Sequence, residues 1–444
     1  MRRWNLSHYA INSCVIAALL AGCGGSQPPI GATPGSAGAP AHSIVHPSTG
    51  SSYRVIHRFV RPDRGLHPRA SVIAVNGWLY GTTSAGGTRR SPFCERSCGS
   101  VYRMDPASGT IKALHLFGQD GYDVQSGLID VNGMLYGTTN LGGDMNCGDG
   151  CGTVFSISKR GAETTLYGFN GGNADGAYPS AGLVNVDGTL YGTTEQGGLG
   201  ASGSLGCENG CGTIYSITTS GSEKVLYKFM GSQGFYPVAG LIDVKGTLYG
   251  TASLGGKKGK PKCSFGFGCG MVYSISTTGI LNVLHQFTAG SDGANPATGL
   301  VDVNGTLYGT TNEGGGSGCG GSGCGTVYSV RPGGAEKVLY RFSGGSDGSD
   351  PDAALVEVGG VLYGTTANGG GSGCAGSGCG TVYSISTTGA ETVLHSFGGS
   401  PDGATPVAAL INVRGVLYGT TFYGGDGSGS GGYVGRGTVF TLTP

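Results

Sequence analysis

Charge is scarce in this chain. Only 12% of its 444 residues are Asp, Glu, Lys or Arg, and acids and bases balance at 26 each. That excludes the dense basic face with which nucleic-acid-binding proteins meet phosphates. Recognisable catalytic signatures are missing as well. The sequence shows no nucleophile elbow, zinc-protease helix or P-loop, which removes the familiar sequence cues for those chemistries. Long apolar runs are absent beyond the N-terminus, so no other segment reads as a membrane span.

The first residues read as an export signal. Arg2 and Arg3 precede a mostly apolar run from Tyr9 to Leu20, too short for a stable anchor. Leu20-Ala21-Gly22-Cys23 follows and resembles the lipobox of bacterial lipoproteins. The resemblance implies cleavage before Cys23, lipid on Cys23, and anchoring by that lipid. Gly24 rather than Asp follows, so delivery to the outer membrane, on its periplasmic or external side, is expected. The expected domains are a signal peptide over 1–22, a lipidated tether over 23–52 and a folded unit over 53–444. The tether is rich in Gly, Ser, Pro and Ala and holds the folded unit roughly 30 Å from the lipid if it behaves as a flexible coil. Losing Arg2 and Arg3 leaves 24 basic against 26 acidic residues.

What the chain does have is repetition. Leu-Tyr-Gly-Thr occurs seven times, with its tyrosine at Tyr80, Tyr136, Tyr191, Tyr249, Tyr308, Tyr363 and Tyr418. A β-rich unit of ~55 residues cannot bury its own faces and must stack on copies of itself. Seven units predict an all-β, seven-bladed propeller. In the fifth unit the strands read as 300–303 (A), 306–311 (B), 325–330 (C) and 337–342 (D), with Asn304-Gly305 as the A–B hairpin turn. The folded region opens on a D-type strand, Tyr53 to Phe59, and closes on a C-type strand, Gly437 to Leu442. The orphan first strand is therefore expected to complete the last blade and close the ring without a free sheet edge.

The unit L-x-x-V-x-G-x-L-Y-G-T-T…GG…C-G-T-V-Y-S…L-x-x-F resembles the GloVer tandem repeat of bacterial exported proteins, a group with varied anchoring devices, over essentially all of residues 53–444. That resemblance implies no established biochemical activity. The layout is also similar to kelch repeats, but the kelch tryptophan of the fourth strand is missing, so this likeness concerns fold alone.

Twelve cysteines form six close pairs: Cys94/Cys98, Cys147/Cys151, Cys207/Cys211, Cys263/Cys269, Cys319/Cys324 and Cys374/Cys379. Each pair precedes strand C of its own unit. In an exported chain this pattern predicts six disulfides within the B–C loops. Zinc is the rival reading, and one pair per loop supplies two of the four ligands it needs.

All length variation lies in the B–C loops, so any site is expected on the rim where B–C and D–A loops emerge. Two groups break the repeat there. Arg61, Arg64, Arg69, Arg89, Arg90 and Arg96 gather around Phe93, while Lys257, Lys258, Lys260 and Lys262 flank Phe265 and Phe267. Tyr178, Phe235, Tyr236, Phe422 and Tyr433 add aromatics to the same rim. Cations beside aromatic rings suit acidic glycans; solvated loop charge is the plainer explanation.

Other recurring residues read as structural. Asp-Gly recurs in D–A loops at Asp120, Asp175, Asp292, Asp347 and Asp402. Turn geometry accounts for it, with calcium as the sharper alternative; no other cofactor is expected. His57, His115, His285 and His395 share a slot with Tyr167, Tyr227 and Tyr340, which reads as aromatic packing. Asp130, Asp243, Asp302 and Glu357 on strand A suggest backbone capping or an acidic ring near the channel. The equivalent small residues Ser71, Gly127, Gly182, Gly240, Gly299, Ala354 and Ala409 mark a crowded centre.

Three functions follow as alternatives. The first is a lipid-anchored binding module of the cell envelope, for acidic glycan or another envelope protein. The second is a scaffold for envelope protein assembly, and the third a polysaccharide-active enzyme. The first is the leading expectation, with a monomeric propeller, the membrane as partner through the lipid, and no nucleic acid.

Overall fold

A computed structural model describes residues 51–60, 65–87, 98–118, 120–143, 145–198, 207, 209–231, 234–256, 263, 267–426 and 435–444. All lie in the unit Val45–Pro444. Within it the strands form seven four-stranded antiparallel sheets, the blades of a propeller. In the first blade strand A is Ile73–Val75, B is Trp78–Thr83, C is Ser100–Met104 and D is Ile111–Leu116. Strand A hands over to B through Asn76 and Gly77, both at positive φ (51° and 81°), the backbone a two-residue hairpin turn requires. No helix among the described residues is long and apolar enough to cross a membrane.

Strand B is buried along nearly its whole length in every blade. This explains why its sequence does not alternate: both sheet faces pack against neighbouring blades. One such layer joins Tyr249 and Phe287 of the fourth blade to Leu300, Leu307 and Tyr328 of the fifth. The glycine of Leu-Tyr-Gly-Thr is set by this packing. A Cβ on Gly81 would stand 2.4 Å from the Tyr102 hydroxyl, which lies across it from strand C.

Strands C and D share a β-bulge. Val101 pairs with His115 and Tyr102 with Ala113, so Leu114 is skipped. The same shift recurs at Val154/Phe155, Ile214/Tyr215, Val272/Tyr273, Val327/Tyr328 and Val382/Tyr383. The bulge bends the outer strand and increases its twist. In the fifth blade strands C and D are Thr326–Val330 and Glu336–Arg341. Gly325 belongs to the loop because its φ is 94°.

The ring closes as the strand order requires. Ser52–Arg58 pairs antiparallel with Thr438–Thr443, in a sheet completed by Val416–Thr421 and Ile411–Val413. Side chains repeat the closure. Thr420 donates its hydroxyl to the Ala70 carbonyl at 3.2 Å. Equivalent bonds run from Thr82 to Ser126, Thr193 to Ala239, Thr251 to Thr298 and Thr365 to Pro406. Each blade is thus tied to the segment that leads into strand A of the next, the seventh to the first. The innermost strands converge closely: a Cβ on Gly240 would stand 3.2 Å from the Gly182 carbonyl oxygen.

Candidate functional site

The chain enters strand A of every blade through one residue at positive φ. These are His67, Asp123, Tyr178, Tyr236, Asn295, Asp350 and Thr405, with φ from 53° to 61°, and none is glycine. Such a backbone is unfavourable for a residue with a side chain and persists where its surroundings over-determine it. Here two main-chain bonds do so. The Thr405 N–H donates to the Cys379 carbonyl of the preceding blade, and the Thr405 carbonyl accepts from Phe422 N–H at the end of strand B. The other six positions are held the same way, by Arg436, Cys98, Cys151, Cys211, Cys269 and Cys324 of the preceding blades. With the backbone fixed, the side chain is free to differ from blade to blade.

It does differ, and so do its neighbours. Two residues further on stand Arg69, Gln125, Ser180, Val238, Ala297, Asp352 and Val407; the ends of strand B supply Ser84, Asn140, Glu195, Ser253, Asn312, Ala367 and Phe422. This is where the repeat loses its symmetry. Arg69 acts electrostatically across blades, on Asp123, Glu195 and Asp352, and on Tyr423. Strand A is the inner edge of each sheet, where neighbouring blades meet, so the residues that lead into it stand at the mouth of the central channel.

The mouth is acidic and poorly solvated. Burial pushes the Asp123, Glu195, Asp350 and Asp352 carboxyls above the ordinary range. Hydrogen bonds from Gln125, Asn368 and Asn312, at 2.7, 2.8 and 2.9 Å, partly offset this for Asp123, Asp350 and Asp352. The Arg69 guanidinium lies 5.8 Å from the centre of the Phe422 ring and forms no ion pair among the described residues. Burial holds the His67 imidazole below its usual value. Among the described residues, two buried amide oxygens, Gln196 Oε1 and Asn312 Oδ1, have no hydrogen-bond partner, nor has Thr405 Oγ1. Buried polar atoms are rarely left so, and an unmet set is a mark of a site.

The cysteines brace this entrance. Five disulfides join Cys147 to Cys151, Cys207 to Cys211, Cys263 to Cys269, Cys319 to Cys324 and Cys374 to Cys379. Cys98 is disulfide-bonded too; Cys94 lies outside the described residues. The second cysteine of each pair lends its carbonyl to an entry residue of the next blade. The disulfides thus hold the mouth, a link the cysteine spacing alone does not reveal.

A second cluster repeats on the outer strands. The histidine/tyrosine slot packs edge-on against the phenylalanine two residues on, as His115 does on Phe117 at 4.7 Å. Packing is only half of its role. His115 Nε2 lies 2.7 Å from Asp120 Oδ2, His395 Nε2 lies 3.1 Å from Asp402 Oδ2, and Tyr167 and Tyr340 donate to Asp175 and Asp347 at 2.9 and 3.1 Å. Each of these aspartates also fixes its own loop, Asp120 by accepting from the Gly118 N–H at 2.7 Å. Glu163, Glu223, Glu336 and Glu391 approach from the next blade. Burial and Asp175 push Glu223 up to about 7, and burial and Asp347 do the same to Glu391. His115, Asp120 and Glu163 each bring one ligand atom within 4.8 Å of the others. Tyr167, Asp175 and Glu223 repeat that cluster with a phenol in place of the imidazole, which marks it as a joint between blades.

The expected basic rim falls mostly outside the described residues: Arg61, Arg64, Arg89, Arg90, Phe93, Arg96, Lys257, Lys258, Lys260, Lys262 and Phe265 all do, as does Cys23. Arg69 is described and belongs to the mouth. Phe267 packs edge-on against Phe235 at 5.9 Å, and Phe235 itself is core. Tyr236 and Phe422 stand at the mouth, the Tyr178 ring is buried in the core between the second and third blades, and Tyr433 lies outside the described residues. The acidic positions of strand A build no ring at the mouth. Asp130, Asp243 and Glu357 cap their own A–B turns, accepting from the N–H of Gly133, Gly246 and Gly360 at 2.9, 2.9 and 2.6 Å. The mouth constellation was the reading the sequence withheld. Its only signal was the variable residue before proline at 67, 178, 236, 295, 350 and 405.

Residues 35–263 and 201–434 match the Gloeobacter/Verrucomicrobia repeat. The chain belongs to this repeat family. No curated protein matches it. Among solved structures, the Niastella koreensis GH74 enzyme is similar at 14% identity and TM-score 0.49, covering 85% of this chain and 54% of that one. An oligogalacturonate lyase in complex with manganese is similar at 13% identity and TM-score 0.49, covering 89% and 94%. A luciferin-regenerating enzyme is similar at 14% identity and TM-score 0.41, covering 89% and 96%.

Proposed function

We propose that this repeat protein is an exported, lipid-anchored binding module whose ligand, a saccharide, enters the channel mouth. The observation that carries the reading is the loss of repeat symmetry at the mouth. Seven identically held backbone positions present seven different surroundings, with buried carboxyls, unmet amide oxygens and the partly buried rings of Tyr236 and Phe422. Acceptors for hydroxyls beside aromatic faces suit sugar rings. The lipobox at Cys23 supports anchoring in the envelope, on the outer membrane. A scaffold role in envelope assembly would use a surface away from the mouth, and a polysaccharide-active enzyme would need one of these carboxyls to act on a bond.

The arginine- and lysine-rich loops favour a second reading, an acidic glycan laid across the outer rim. A glycan array of the full chain separates the two. Loss of binding in Glu195→Gln with Asp352→Asn supports the mouth. Loss in the Lys257, Lys258, Lys260 and Lys262 to Ser variant supports the rim. Silence from folded, oxidised protein overturns both and leaves the assembly scaffold.

A further inference from the structure

We infer that the ligand of the mouth carries a positive charge on a hydroxyl-bearing frame, as an amine-bearing sugar does. The inference rests on the mouth being the binding site. Four buried carboxyls, Asp123, Glu195, Asp350 and Asp352, come from three separate blades, and Asp350 and Asp352 accept from Asn368 and Asn312 at 2.8 and 2.9 Å; Arg69 is the one guanidinium that acts on Asp123, Glu195 and Asp352. Burial disfavours the charged form of these carboxyls, and a cation placed among them restores it, so carboxyls that outnumber the one guanidinium favour a cationic ligand. The unmet neutral atoms agree. Gln196 and Asn312 are only 7% and 9% exposed, and their side-chain oxygens have no donor. The Asn312 amide nitrogen holds Asp352 at 2.9 Å, and that of Gln196 reaches the Tyr236 hydroxyl at 3.3 Å, so both amides are anchored in the mouth.

A site so rich in acceptors selects a ligand rich in donors: an ammonium for the carboxyls, hydroxyls for the amide oxygens. A bare metal ion fits less well. Among the described residues the one set of three metal-ligating atoms drawn within 4.8 Å of one another is His115, Asp120 and Glu163, on the outer strands. The mouth acids are spread around a ring, which suits an extended organic cation.

The test is calorimetric titration of the full chain with three probes: a glucosamine tetramer, its N-acetylated counterpart and a galacturonate tetramer. The glucosamine tetramer should bind at least about tenfold more tightly than either other probe. Asp352→Asn and Glu195→Gln should each weaken it about tenfold, while Arg69→Gln, which removes the opposing charge, should tighten it. A damaged fold does not produce that gain. Preference for the galacturonate or N-acetyl probe, still sensitive to the mouth substitutions, overturns the ligand class and keeps the mouth. No binding by any probe, or binding that no mouth substitution alters, overturns the mouth itself.

Discussion

Tyr53 donates its hydroxyl to Asp402 at 2.5 Å and lies flat on His395, ring centroids 3.6 Å apart. Tyr53 begins the folded region; Asp402 and His395 belong to the sixth blade. The contact therefore fixes the first strand against the neighbour it meets only when the ring is closed. Tyr53 holds the place that Glu163, Glu223, Glu336 and Glu391 occupy in four other blades. Tyr53→Phe keeps the stacking and removes the bond to the carboxylate. Unfolding in urea should show a loss of about 1–2 kcal/mol, and Tyr53→Ala a larger one. An unchanged midpoint for both would mean the first strand does not carry closure.

The blade joints make stability depend on pH in two opposite ways. Burial raises Asp120, Asp292 and Asp402, but hydrogen bonds with His115, His285 and His395, together with neighbouring donors, outweigh it and hold all three below the ordinary carboxylate value. Their contribution is present above the unfolded pKa and is lost as pH falls through the lower folded one. Glu223 and Glu391, pushed up to about 7, behave in reverse. Their contribution is full below the unfolded carboxylate value and is lost as pH rises through 7. Glu391→Gln should raise Tm at pH 8 and leave it nearly unchanged at pH 5. The gain at pH 8 should be about 1 kcal/mol, since solvent screens a half-buried group. Equal shifts at both pH values would contradict the assignment.

Five buried tyrosine hydroxyls, those of Tyr102, Tyr215, Tyr273, Tyr328 and Tyr383, have no hydrogen-bond partner among the described residues. The second and seventh blades place Phe155 and Phe440 in the same slot. A buried hydroxyl without a partner is a cost, so Tyr273→Phe should hold or raise stability, by up to about 1 kcal/mol. A clear loss in thermal unfolding would reveal a partner for that hydroxyl.

The architecture was legible in the sequence because a propeller writes its period directly. The Leu-Tyr-Gly-Thr spacing sets the blades, and the D-type start against the C-type end sets the closure. The disulfide pairs were legible for the same reason, as local pairs in six of the seven units. The mouth was not. Arg69, Asp123, Glu195 and Asp352 lie far apart in the chain and meet only because blades curve around one axis. Nothing in their local spacing announces that. The polar role of His115 and His395 was hidden too, since an edge-on imidazole and a phenol satisfy the same packing slot and differ only in what their polar tips reach.

Each disulfide loop is small, so its loop-closure gain is about 2 kcal/mol. Replacing Cys374 and Cys379 with Ser should cost about that much and also loosen the entrance, because the Cys379 carbonyl holds the Thr405 N–H at 2.9 Å. Amide exchange at Thr405 should quicken more than at Asn295, which hangs on Cys269. Equal exchange at both would separate the disulfides from the mouth.

The most direct test of the mouth as binding site is amide hydrogen exchange of the full chain, with and without the saccharide that an array retains. Protection should concentrate at residues 67–69, 123–125, 195–196, 350–352 and 405, drawn from separate blades. Protection confined to the B–C loops or to the outer strands, with the entry residues unchanged, would contradict the account.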